Sequence, residues 1–357
     1  MTKFLSRRYK DLAPYAPGPH PKDRKYIKLN QNESPYPPSP AVKKALSDSL
    51  VDSLHMYEDP FCMELREAIA KVNDLSADQI FVGNGSDEVL AFLFQAFFDE
   101  EQGVAFTDIT YDFYQCCCRT YNVNYEIIPL KEDFSYDLDA FMHTKKGIVL
   151  ANPNAPTGMR ISLDEIEKLL QSSSERLVVI DEAYVDFDNP TCIPLLKKYP
   201  HLIVLQTFSK SRCLAAGRIG FAAASKEIID DMRALKFSFS PFNLSALSIA
   251  AGTAAALDTD YVKQCADQTI AVRDKFTEGL KRLGFHYLDS HANFVFAMHP
   301  CISGEELWHD LKDAGILTRW YNEPRIKEYL RISIGTEEDM LQVLKTCKEI
   351  LKKRGFC

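Results

Sequence analysis

The sequence predicts an α/β protein: a large domain on a seven-stranded, mostly parallel sheet, followed by a smaller α+β domain. Three observations predict it. Seven short apolar runs, "QIFVG", "GVAF", "YEIIPL", "GIVLA", "LVVID", "LIVLQ" and "RIGFAAA", occupy the middle of the chain. Helical stretches separate them, which is the order of β-α-β units feeding a parallel sheet. The chain has 357 residues, more than one core usually serves. Its last hundred residues alternate differently, as "FHYLD", "NFVFAM", "EELWHDLKDAGI", "YLRISIG" and "EEDMLQVLKTCKEILKKR".

Taken in order, the start is Pro-rich, with Pro14, Pro17, Pro19 and Pro21 followed by "NESPYPPSP". Proline fixes φ and withholds an N–H, so residues 1–38 read as an extended arm that docks on something else. Helical patterns follow over Pro40–Leu54 and Phe61–Val72, with "MYEDP" between them. The seven runs belong to a large domain over 39–257. A long helical stretch from Tyr261 to Leu283 opens the small domain, 258–357.

Composition narrows the function. The formal net charge is −8 and the pI about 5.6. That argues against a nucleic-acid surface and fits an enzyme with small-molecule partners. The first residues lack the continuous apolar core of a signal peptide, and no apolar run reaches the length of a membrane span. Of the ten cysteines, Cys116, Cys117 and Cys118 are adjacent, and no two C-x-x-C pairs match. The expectation is a reducing cytoplasm, no bound metal, and a cysteine triplet that packs a helix.

In open α/β sheets, ligands sit beyond the carboxyl ends of the strands. After "QIFV" comes "GNGSDEVLAFLFQAFF". Its glycines, including Gly85, free the backbone, and Ser86 and Asp87 are expected to cap the next helix, whose N-terminus suits a phosphate. The stretch is not a dinucleotide fingerprint, because Glu88 stands at the third glycine position. After "GIVLA" comes "NPNAPTG", offering the amides of Asn152 and Asn154. After "LVVI" comes Asp181, a strand-end acid that needs a cationic partner, with Tyr184 one helical turn on. After "LIVLQ" come Ser209 and Lys210, with Arg218 eight residues beyond the lysine. Each alone has a bland reading as a capped helix, a turn or a surface lysine. Together at one sheet edge they suit Schiff-base chemistry on a phosphorylated aldehyde, and pyridoxal phosphate would bring an aldehyde for the lysine, a phosphate for the helix end and a pyridine nitrogen for the acid.

These motifs resemble the fold-type I, pyridoxal-phosphate-dependent aminotransferases, and within them the histidinol-phosphate aminotransferase family. The likeness runs through "LNQNESPYPPSP", "MYEDP", "VGNGSDEVL", "NPNAPTG", "VIDEAYVDF", "TFSKSRCLAAGRIGF" and "LRISIGT". Aromatic aminotransferases and threonine-phosphate decarboxylases are close to this branch. The resemblance implies transamination of histidinol phosphate with 2-oxoglutarate in a homodimer. It implies that Lys210 holds the cofactor and moves the substrate proton, that Asp181 pairs with the pyridine nitrogen, and that Tyr184 binds the phenolic oxygen. Ser86, Asp87, Ser209 and Arg218 would take the phosphate, Tyr111 would stack on the ring, and Tyr57 would reach the neighbouring subunit's phosphate. Arg319 and Arg331 would bind the substrate anion, with Asn32 and Tyr36 of the arm closing over it. Two departures stand out. The asparagine usual before the proline of the "NPNAPTG" turn is Ala155, with Asn154 the expected substitute, and Cys213 replaces a smaller residue.

Overall fold

The computed structural model describes residues 4–6, 9, 14–15, 18–19 and 21–356. Pro17 and the other arm residues outside those ranges are not among the described residues.

All seven apolar runs are strands of one sheet. Its order is Ile80–Gly83, Gly220–Ala223, Leu202–Thr207, Val178–Asp181, Gly147–Ala151, Val104–Phe106, Tyr125–Ile127. Gly220–Ala223 runs antiparallel to both neighbours, and the other pairings are parallel. The central strands are buried along their whole length because helices cover both faces, hence their unbroken apolar sequence. Val82, Ile180 and Val204 face one core, and Phe81, Val179 and Leu205 face the other. Register places Ala151, Asp181 and Leu205 side by side, so the residues following these strands emerge together.

A second sheet, antiparallel, runs in the order Arg319–Trp320, Leu330–Ser333, Phe294–Met298, His286–Tyr287. Its own core includes Val295, Ile332, Val343 and Leu351, closed by the helices Thr259–Arg282 and Glu337–Lys353. The arm joins this lobe. Ile27–Lys28 pairs in parallel with Ile316–Leu317, and Leu29 is buried in the same core.

Several local expectations change. The predicted helix Pro40–Leu54 is broken into Pro40–Ala45 and Asp48–Asp52, continued by a 3₁₀ turn over Ser53–His55. Leu46 leaves helical geometry at φ −83° and ψ 64°, and Ser47 then starts the second piece. The helices Lys226–Phe239 and Ala246–Leu257 fill a stretch the sequence reading did not assign. The cysteine triplet does lie on a helix, Phe113–Tyr121, with Cys117 and Cys118 buried.

Candidate active site

Beyond the carboxyl ends of the large sheet, between it and the small lobe, lies a cavity of about 450 Å³. Asp181, Tyr184, Ser209, Lys210, Arg218, Ser86, Asp87, Tyr111, Asn32, Arg319 and Arg331 all line it. A second hollow of about 650 Å³ holds cations that are already engaged. Arg212 pairs with Asp186 at 3.0 Å, Lys263 with Asp267 at 2.7 Å, and Arg160 donates to the Asp188 carbonyl at 2.9 Å.

Asp181 ends its strand only 5% exposed. Its carboxylate accepts from the Tyr114 hydroxyl at 2.7 Å and from the Ala183 N–H at 3.1 Å. Burial pushes its pKa up to about 6 against the pull of those two donors. The group is therefore held ready for a cation. Lys210 donates to the Gln31 carbonyl at 3.1 Å and sits 5.7 Å from the Tyr184 ring centroid. Burial first, and then the Arg331 charge, pull its pKa down to about 8. A lysine so lowered spends part of its time as a free amine near neutral pH.

The helix Ser86–Phe97 points its N-terminus at the cavity, but its cap differs from expectation. The N-cap residue is Gly85, at φ +85°, and no side chain caps the helix. Ser86 and Asp87 lie inside the first turn, so the end is left for an outside anion. Asp87 accepts from the Tyr111 hydroxyl at 2.8 Å and pairs with Arg218 at 3.3 Å. Arg218 lies against Gly85, where a Cβ would collide with its guanidinium. Gly220 is equally constrained, because a Cβ there would strike the Gly85–Ser86 backbone.

The "NPNAPTG" turn behaves differently. Asn152 exchanges hydrogen bonds with the Ile161 backbone at 2.8 and 3.1 Å. Asn154 is fully buried and donates to the Ile109 carbonyl and the Thr157 hydroxyl. Both amides pin the turn, and the cavity wall is made by Pro153 and Ala155 instead. Asn154, the expected substitute for the asparagine missing at 155, is not among the residues that line the cavity. Gly85 acts through backbone shape from outside the wall. Tyr36 is half-buried outside it, and Tyr57 is 82% exposed with its ring 4.6 Å from that of Phe242.

On the small-lobe side, Arg331 donates to the Asn30 carbonyl at 3.0 Å, and its buried Nε has no partner. Arg319 is its cross-strand neighbour, and both guanidiniums lie over the Tyr321 ring. The sequence reading missed Tyr15, Gln31, Tyr114 and Tyr321. Tyr114 carried a signal, since it follows Tyr111 by one helical turn. The others come from the arm and small lobe, where no apolar run marks a ligand edge.

The chain matches the family Aminotransferase class I and II over residues 24–346, and so belongs to that class of enzymes. A histidinol-phosphate aminotransferase of Brachyspira hyodysenteriae is 44% identical over 353 residues, covering 99% of this chain and all of that protein. The one of Clostridium acetobutylicum is 44% identical over 351 residues, 98% of this chain and all of that protein. Within the class, the chain belongs to the histidinol-phosphate aminotransferase family. The fold agrees with that of the Sinorhizobium meliloti histidinol-phosphate aminotransferase in complex with pyridoxal-5′-phosphate, at TM-score 0.87 and 22% identity over 99% of both chains. It also agrees with that of L-threonine-O-3-phosphate decarboxylase from Porphyromonas gingivalis, at TM-score 0.80 and 22% identity over 91% of this chain and 99% of that one.

Proposed function

We propose that the protein transfers the amino group of histidinol phosphate to 2-oxoglutarate, giving imidazole acetol phosphate and glutamate in histidine biosynthesis, with pyridoxal phosphate as cofactor. One observation carries this reading: a single cavity has an anion site at each end and a lysine of lowered pKa between them. Full-length relatives at 42–44% identity support it.

The residues present fit the cofactor. The uncapped helix end, Ser86, Ser209 and Arg218 would hold its phosphate. Asp181, buried and short of a cation, would hold the ring nitrogen in its protonated form. Tyr184 would bind the phenolic oxygen, and the Tyr111 ring, anchored through Asp87, would stack on the pyridine. Bound there, pyridoxal phosphate supplies an electron sink for the pair left when the substrate Cα–H bond breaks. Lys210 would hold the cofactor through its amine and, freed from it, would carry the proton released from the substrate Cα. Arg331, whose Nε is unpartnered, and Arg319 receive the substrate's phosphate in one half-reaction and the distal carboxylate of glutamate in the other.

The same reading divides the chain into an arm (1–38), a large domain (39–257) and a small domain (258–357), and makes the active unit a homodimer. Tyr57 supports the dimer. It is absent from its own cavity wall, and its exposed ring packs on the exposed ring of Phe242, next to the exposed Met56. A cytoplasmic setting completes the reading, supported by nine cysteines that are free among the described residues.

The test is a substrate panel with the purified protein and 2-oxoglutarate. Histidinol phosphate should exceed histidinol in kcat/KM by about two orders of magnitude, since two cations otherwise lose their partner. Faster turnover of phenylalanine would move the assignment to aromatic substrates, and carbon dioxide release to decarboxylation.

A further inference from the structure

We propose that Asn32 is a positioning residue for Tyr184: it turns the phenol's proton into the cavity through a relay that starts on a strand of the small lobe. The proposal rests on the cofactor reading above and adds to it how the arm and the small lobe control one of the cofactor's contacts.

Asn32 is 1% exposed and lies at φ +55°, a left-handed conformation that asparagine tolerates better than most residues. Four hydrogen bonds fix it. Its backbone N–H donates to the Ser333 hydroxyl oxygen at 2.8 Å. That hydroxyl donates in turn to Asn32 Oδ1 at 2.8 Å. Asn32 Nδ2 donates to Tyr184 Oη at 2.9 Å, and the Asn32 carbonyl accepts from Asn293 at 2.9 Å.

The directions follow from the chemistry of the donors. A backbone N–H can only donate, so Ser333 Oγ must accept from it. The Ser333 proton then needs an acceptor, and Asn32 Oδ1 is the one beside it. That places the Nδ2 group against Tyr184, where it too can only donate. Tyr184 Oη is the acceptor in this contact, and its own proton is left to donate toward the cavity. The other wall beside Tyr184 cannot do this job. Ala155 packs in the same apolar cluster and offers a methyl group, while Asn154 spends its N–H groups on Ile109 and Thr157.

The relay links the two lobes. Ser333 and Arg331 sit two residues apart on one strand and therefore on the same face. The strand that presents the anion-binding arginine also begins the chain of bonds ending at Tyr184. A hydrogen bond accepted by a phenol makes it a better donor. Asn32 therefore strengthens the Tyr184 bond to an oxyanion in the cavity and lowers the proton affinity of the bound cofactor.

The experiment follows the visible absorption of the holoenzyme against pH, without substrate, in the native protein and in Asn32→Ala, Ser333→Ala, Tyr184→Phe and Asn32→Ala/Tyr184→Phe. Asn32→Ala should raise the proton affinity read from the band by about threefold to tenfold, the worth of one hydrogen bond. Ser333→Ala should move it the same way by less, and Asn32→Ala should add nothing in the Tyr184→Phe background. An Asn32→Ala midpoint equal to the native one, or a shift that persists undiminished without the Tyr184 hydroxyl, overturns the proposal. Should Asn32→Ala not fold, Ser333→Ala decides it, an unmoved midpoint being the overturning result. A native protein that takes up no pyridoxal phosphate sinks the cofactor reading itself, and this role with it.

Discussion

The two ends of the cavity are built on opposite plans. At the large-sheet end, the polar groups terminate rigid parallel strands and are braced. Asp181 is held by Tyr114 and Ala183, Tyr111 by Asp87, and Arg218 by Asp87 and Gly85. At the small-lobe end, Arg331 keeps a buried N–H without a partner, and the wall comes from three separate pieces: the arm, the Arg319–Trp320 strand and the Leu330–Ser333 strand. A braced end suits a tenant that stays, and an unsatisfied end suits one that comes and goes. Unsatisfied donors cost stability, so their presence marks a place where an incoming anion supplies the missing partner.

Four experiments break or sharpen this contrast. The largest effect belongs between the two ends. Lys210→Ala should lower turnover by about three orders of magnitude or more, the scale of losing a positioned proton carrier and nucleophile. Borohydride treatment of the native protein should fix the cofactor on Lys210, as read by peptide mapping. An adduct on another lysine would dismantle the site described here.

At the unsatisfied end, Arg331→Ala should lower kcat/KM by roughly two orders of magnitude for histidinol phosphate and for glutamate alike, since both anions need the same fork. Loss for one substrate only would show that the two use different sites. The cofactor's absorbance should persist in this variant, which separates the exchanging end from the braced one.

Whether the braced end is shared between subunits is decided by mixing. Tyr57→Ala and Lys210→Ala proteins, each impaired, should regain about a quarter of native activity after subunit exchange, because half of the dimers would be hybrids with one intact site. No recovery after demonstrated exchange would remove Tyr57 from the site.

The smallest effect concerns stability without cofactor. Asp181 has a folded-state pKa of about 6, above its ordinary value of 3.8. The folded protein then binds the proton more tightly than the unfolded chain, and stability falls as pH rises from about 4 to 6. Above that window, Asp181→Asn should stabilise the cofactor-free protein by about 3 kcal/mol while impairing catalysis. The gain in Tm should vanish below about pH 4, where the native carboxyl is protonated in both states. A variant that melts lower at neutral pH would show that the buried acid is already satisfied.

Much of the braced end was legible because it is local. An apolar run followed by a polar residue marks a strand end, and Asp181, Ser209, Lys210 and the "GNGSDE" turn were found that way. The direction of the "NPNAPTG" amides was not legible in the same way. The pattern places them at the correct edge, but their direction depends on Ile161, Ile109 and Thr157, and those partners turn them inward. The break after Ala45 was hidden because the helical pattern continues through it, while the backbone geometry at Leu46 does not.

By itself the sequence determined the seven strands, the small lobe and the lysine edge, because burial of alternating or continuous apolar residues is decided within a few residues of each position. Tertiary structure alone decided which groups meet across the cavity. Asn32 reaches Tyr184 across 152 residues and Ser333 across 301, and Tyr114 reaches Asp181 across 67. A hydrogen bond needs its two atoms within about 3 Å and in line, and no periodicity in the chain encodes that distance between residues so far apart.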